Sequence, residues 1–139
     1  MGTKSSIDQY RKSSVAGASP LQLVVMLYDG TLRFMEAGRH AMIAKDRFAQ
    51  NDNITKTQKI LSELLATLDL EKGGEVAENL FSLYTYVYNR LVEANLEDKP
   101  ELVAECIEIM SDLRESWVEL ERNARQLNPK NTGGGGIAA

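Results

Sequence analysis

Four stretches of this chain carry apolar residues at spacings of three and four, and no stretch alternates apolar with polar residues over a strand's length. A period near 3.6 gathers such side chains on one face of a helix, whereas a half-buried strand needs a period of two. Four amphipathic helices with short connections imply an all-α fold, an antiparallel up-down four-helix bundle. At 139 residues the chain is expected to form one domain.

The first helix is expected from Pro20 to about Lys45. Ser19 is an N-cap, Pro20 fits the first helical position, and Gln22 completes a capping box. Leu23, Leu27, Phe34, Ala41 and Met42 mark its buried stripe, widened by Val24, Tyr28 and Met35. Gly30 and Gly38 inside it point to close approach of a neighbouring helix. The second helix is expected to start near Asn51-Asp52-Asn53, a cluster of N-cap formers, with Ile54, Leu61, Leu64, Leu65 and Leu68 buried. Gly73-Gly74 closes it or lies in the following loop. The third helix then runs from about Glu75 to Asn95, with Val76, Leu80, Leu83, Tyr84, Val87 and Leu91 in one apolar stripe and Phe81, Tyr88 and Val92 in a second beside it. The fourth is expected to start at Asp98, capped by its carboxylate with Glu101 completing the box, and to reach about Leu127. Along it Leu102, Cys106, Ile109, Leu113, Trp117 and Leu120 step at near-heptad spacing.

The ends read differently. Residues 1–18 are polar and contain Ser and Gly, with Ile7 and Tyr10 at helical spacing as two apolar anchors; this is expected to be a mobile N-terminal cap segment. The bundle is expected over 19–128. Residues 129–139, beginning at Pro129 and running through Gly133–Gly136, read as a disordered Gly-rich tail.

Catalytic constellations are missing from the pattern. His40 is the single histidine, so no two-histidine metal site can form, and Ala37 stands where a Glu-x-x-His pair would need its carboxylate. No Gly-rich phosphate loop is present. Neither enzyme activity nor a cofactor is expected. Cys106, next to Ile107 and near Ile109, reads as a packed thiol. A net charge of −4 argues against nucleic-acid binding. Arg33, Arg39, Lys45 and Arg47 read as a solvated basic face. The longest apolar run, Leu23 to Tyr28, is far short of a membrane span.

What the chain has in excess is apolar surface. From Leu80 to Val92 nine of thirteen residues are apolar or aromatic, where one face of a bundle helix needs about three in seven. Either that helix is buried on two sides, or one stripe lines a groove for a partner helix. The tyrosines there would offer an apolar body with a wettable hydroxyl.

Several blocks together resemble the flagellin export chaperones, the FliS family. They are Tyr10, then Ala18-Ser19-Pro20, then Met26-Leu27-Tyr28-Asp29-Gly30, then Tyr84-x-Tyr86-Val87-Tyr88-Asn89-Arg90-Leu91-Val92-Glu93-Ala94-Asn95, and Trp117. The resemblance covers about residues 7–122. It implies a cytoplasmic helical bundle that binds the disordered C-terminal region of flagellin. Such a chaperone keeps flagellin unpolymerised and delivers it to the flagellar type III export apparatus, so export-gate components are further partners. Carried over by position, it makes Ile7 and Tyr10 cap anchors. Tyr28, Leu80, Tyr84, Val87 and Tyr88 are the candidates for the partner surface. The alternative is a structural homodimer whose apolar stripe meets its own copy.

Overall fold

The computed structural model describes residues 17–127. The cap anchors Ile7 and Tyr10 and the tail 129–139 lie outside the described residues. Four helices follow one another: α1 (Pro20–Ile43), α2 (Arg47–Ala66), α3 (Leu70–Glu97) and α4 (Pro100–Leu127). Among the described residues there is no strand. Each helix packs on its two neighbours around a ring, diagonal helices meeting only through side chains at the centre, and α1 is held against α2 and α4 more extensively than α3 is. The result is the expected antiparallel bundle. No helix among the described residues is long and apolar enough to cross a membrane.

The first cap forms as its residues dictate. Ser19 Oγ accepts from the Gln22 N–H at 3.0 Å, and Gln22 Oε1 accepts from the Ser19 N–H at 2.8 Å. At the other end of α1 the Lys45 N–H donates to the Met42 carbonyl and the Asp46 N–H to the Ala41 carbonyl, while Lys45 itself is left-handed at φ 62°. That paired pattern ends a helix sharply. It leaves three residues to reach α2, so α2 begins at Arg47, earlier than expected. Asp46 is its N-cap, accepting from the Ala49 N–H. The Asn51-Asp52-Asn53 cluster lies a turn inside: Asn53 donates to the Ala49 carbonyl and Asp52 pairs with Lys56.

Asp98 also departs from expectation. It is left-handed (φ 54°) and closes α3, and its carboxylate faces back to α2. It accepts from Arg47 at 3.0 and 3.1 Å and from Gln50 at 2.9 Å. Those hydrogen bonds, Gln50 first and then Arg47, hold its carboxyl below the usual range. The α4 helix opens instead at Pro100, suited to a first helical position. Gly73-Gly74 neither ends α2 nor sits in a loop. Asp69 caps a first turn of α3, and Gly74 breaks the helix at φ 57°, ψ −137°, a backbone that suits glycine. The continuous part of α3 therefore starts at Glu75, as the sequence predicts.

Tyr28, Met35, Leu61, Val87, Leu91, Val103, Cys106 and Met110 are wholly buried. Gly38 lies where α2 comes close: a Cβ there would stand a tight 3.3 Å from Ile54 Cγ1. On α4 the buried stripe is Val103, Cys106 and Met110, one position round from Leu102 and Ile109, which are half-buried, while Leu120 is exposed. Val76, expected in the stripe of α3, is exposed, and Ala77 is buried in its place. The basic residues do not form one face. Arg39 pairs with Glu36, Arg47 with Asp98, and Arg33 lies over the Phe34 ring. His40 is exposed.

Candidate partner-binding surface

The two ends of the bundle are built differently. At the end where α1 and α3 finish, polar ties close the structure. Gln50 Nε2 donates to Asn95 Oδ1 and Asp98 Oδ1, and Asn95 Nδ2 to Asn51 Oδ1. Glu105 of α4 accepts from two α3 side chains, Tyr86 Oη at 2.6 Å and Arg90 Nε at 2.9 Å. Ile43, Phe48 and Leu96 are exposed at this end, but Met42, Gln50, Ala94 and Val103 lie buried there.

Toward the opposite end a sealed layer centres on two tyrosines. The hydroxyls of Tyr28 and Tyr84 share a hydrogen bond of 2.6 Å, and their rings are tilted at 6.3 Å between centroids. Thr31 Oγ1 donates to the Tyr28 carbonyl, and Trp117 places its ring 6.2 Å from Tyr28. Both tyrosines have at most 2% of their surface exposed. One turn further on are Val24 in α1, Leu80 in α3 and Leu68 just past α2. With Trp117 they pack on the core yet remain half-buried. Beyond them Val76 and Leu120 are exposed, as is Phe81 beside Leu80. At this end, then, half-buried and exposed apolar side chains surround the buried Ala77 of α3. Apolar surface left contiguous in this way marks a place where another chain docks.

The candidates taken from the sequence fall into different settings. Tyr28 and Tyr84 meet as the floor beneath the open layer, and Leu80 lies in that layer. Val87 is wholly buried, and its carbonyl accepts from the Cys106 thiol at 3.8 Å. Tyr88 is half-buried on the side of α3 facing α2, where its carbonyl accepts from Gln58 Nε2. The sequence pattern did not select Val24, Leu68 and Trp117 for this surface. Their common level depends on the register between helices, which a single helix's periodicity does not carry. Phe81 was visible as a member of the second stripe of α3.

Burial has a chemical consequence here. It pushes the Tyr28 and Tyr84 phenols above their usual value of 10.0, in Tyr84 with the neighbouring Tyr28 adding to the effect. It also pushes the Cys106 thiol up to about 12. The folded state holds these protons more tightly than the unfolded chain does. Their contribution is therefore complete below the unfolded values, 9.0 for the thiol and 10.0 for the phenols, and is lost as pH rises above them. From neutral pH the melting temperature should hold up to about pH 9 and fall progressively beyond it. A thermal melt series across that range checks this, and a flat alkaline limb would contradict the burial of these groups.

Residues 3–124 match the family described as "Flagellar protein FliS". The chain is 38% identical over 114 residues to the flagellar secretion chaperone FliS of Campylobacter jejuni, covering 82% of this chain and 89% of the relative. It is 36% identical over 135 residues to that of Salmonella typhimurium, covering 94% and 95%. Against that of Bacillus subtilis it is 32% identical over 138 residues, covering 99% and 100%.

Proposed function

This chain belongs to the FliS family of flagellar proteins, and on that premise we propose that it is a cytoplasmic secretion chaperone for flagellin. It binds the disordered C-terminal region of flagellin, prevents its premature polymerisation and presents it to the flagellar type III export apparatus. FliS is a family of chaperones rather than of enzymes.

The observation that carries this reading is the unsealed apolar layer of Val24, Leu68, Leu80 and Trp117 above the Tyr28–Tyr84 floor. A disordered ligand loses several kcal/mol of conformational freedom when it orders, so a wide apolar contact is required. An amphipathic segment laid across the open end supplies it and continues along α3 past Phe81 and Tyr88. Tyr28 and Tyr84 support the site from below, and Val87 acts through packing. In the same reading Ile7 and Tyr10 anchor a cap over this surface while the partner is absent.

Titration calorimetry with the C-terminal region of a flagellin from the same organism tests it. One-to-one binding below micromolar concentration, with a negative heat capacity change, is expected for coupled folding on apolar surface. Absence of heat at concentrations where the protein is folded would sink the assignment. The exposed Val76, Phe81 and Leu120 favour one other reading, self-association through the same end. A mass that rises with concentration, together with no flagellin binding, would select it.

A further inference from the structure

The first turn of α3, residues 70–73, is built unlike the rest of the bundle. From Asp69 to Val76 every residue is exposed, so none of these side chains is anchored in the core. The hydrogen bonds that shape the turn lie within it. Asp69 Oδ1 accepts from the Glu71 and Lys72 N–H groups at 3.1 and 3.0 Å, and the Gly73 N–H donates to the Asp69 carbonyl at 2.8 Å. At Gly74 the chain bends at φ 57°, ψ −137°, close to the first central position of a type II′ turn, where glycine dominates. The turn is thereby folded back onto the helix it precedes. A Cβ at Gly73 would stand 2.6 Å from Ala77 Cβ, whereas residues four apart in a regular helix keep about 5–6 Å between Cβ atoms. Gly73 therefore seats its backbone directly on Ala77. Ala77 is 5% exposed, although Val76 and Glu78 on either side of it are exposed.

We propose that this turn is a lid: it seats on Ala77, pivots about Gly74 and lifts while the four-helix bundle stays folded. The inference goes beyond the chaperone reading and does not depend on it. Segments with few buried contacts open at far lower free-energy cost than the whole fold, and lids are drawn from such segments. One contact of backbone on methyl and the turn's own capping bonds hold the lid in place. Behind it α3 is held by Tyr84, Val87 and Leu91, all sealed in the core. Both glycines serve the seated position. A side chain at 73 has no room against Ala77, and one at 74 is strained at this φ. Lifting uncovers the Ala77 methyl, which lies three residues from Leu80 on the same face of the helix. It thus extends the apolar layer of Val24, Leu80 and Trp117 by one turn of α3. The fold carries its own control over how much apolar surface it shows at this end.

Native-state hydrogen exchange, thermal melting and binding of the apolar dye anilinonaphthalene sulfonate test this on the full chain, with no partner present. In wild type the amides of residues 71–77 should exchange through a local opening, at a rate that low denaturant concentrations leave unchanged. Those of Tyr84 and Leu91 should wait for global unfolding. Gly73→Ala removes the seat and should speed exchange at 71–77 about tenfold, with more dye bound and the melting temperature held. Gly74→Ala acts by an independent cause, strain at the pivot, and should shift both readings the same way, again about tenfold in exchange. Lys72→Ala, an exposed position on the same turn, should change neither. Exchange at 71–77 that occurs only with global unfolding would make the turn an integral part of the bundle and overturn the lid. Slower exchange in Gly73→Ala, meaning that α3 straightens, would overturn it too, as would an equal response in Lys72→Ala. A fall in melting temperature that accounts for the faster exchange, with no extra dye bound, would have the same consequence. Each of these results leaves the chaperone reading standing, because no flagellin enters the experiment.

Discussion

Leu80→Glu is expected to weaken binding of the flagellin C-terminal region by about a hundredfold or more while the bundle stays helical. Leu80 lies in the open layer, half-buried against the core and still reachable from outside. In the free protein a carboxylate there can turn toward water, so folding loses little more than part of one leucine's burial, about 1 kcal/mol. In the complex the same carboxylate would be sealed beneath the partner with no cation near it. Burying an unpaired charge costs several kcal/mol, and about 2.7 kcal/mol already corresponds to a hundredfold in affinity. Calorimetry reads the affinity, and far-ultraviolet circular dichroism with a denaturant titration reads the fold. An affinity within a few-fold of wild type would remove the open layer from the partner surface.

The largest stability effect is expected one layer down. Tyr84→Ala should cost about 3–5 kcal/mol, the range for emptying an aromatic site in a sealed core. Two terms act together. The ring leaves a cavity between α1 and α3, and Tyr28 keeps a buried hydroxyl that has lost its partner. The phenylalanine series separates them. Tyr84→Phe preserves the packing and strands the Tyr28 hydroxyl, at about 1–3 kcal/mol. The double replacement of Tyr28 and Tyr84 by Phe removes both polar groups and should lie closer to wild type than either single change. Urea unfolding of the four proteins checks this, and strict additivity of the two single changes would show that the hydroxyls are not coupled.

These expectations also show where sequence patterns suffice. The Ser19–Gln22 box and the close approach at Gly38 follow from local chemistry, and both appear as the residues dictate, whereas Gly73-Gly74, expected to end α2 or lie in a loop, instead kinks α3 after its first turn. The start of α2 did not follow. Asn51, Asp52 and Asn53 are good caps in isolation, but the sharp stop at Lys45 leaves Asp46 in the capping geometry first. Asp98 failed for a related reason: its carboxylate gains more from Arg47 and Gln50 across the bundle than from the helix it precedes. Core and docking residues are harder still. Tyr84 and Leu80 are one turn apart on one stripe, equally apolar in sequence, yet one is sealed and the other open. The difference comes from where α2 stops and how α3 is staggered against α4, both properties of the assembled bundle.

The three connections between helices contain three, three and two residues. Each helix therefore meets its successor almost as soon as both exist, and among the described residues the α1–α4 seam joins the most distant parts of the chain. Folding speed tracks how local the native contacts are, and helical bundles of this kind fold in microseconds to milliseconds. Synthesis proceeds at about 5–20 residues per second, far slower than that. Each new molecule of this protein would thus complete itself within moments of leaving the ribosome, with its α1–α4 seam the last part to close.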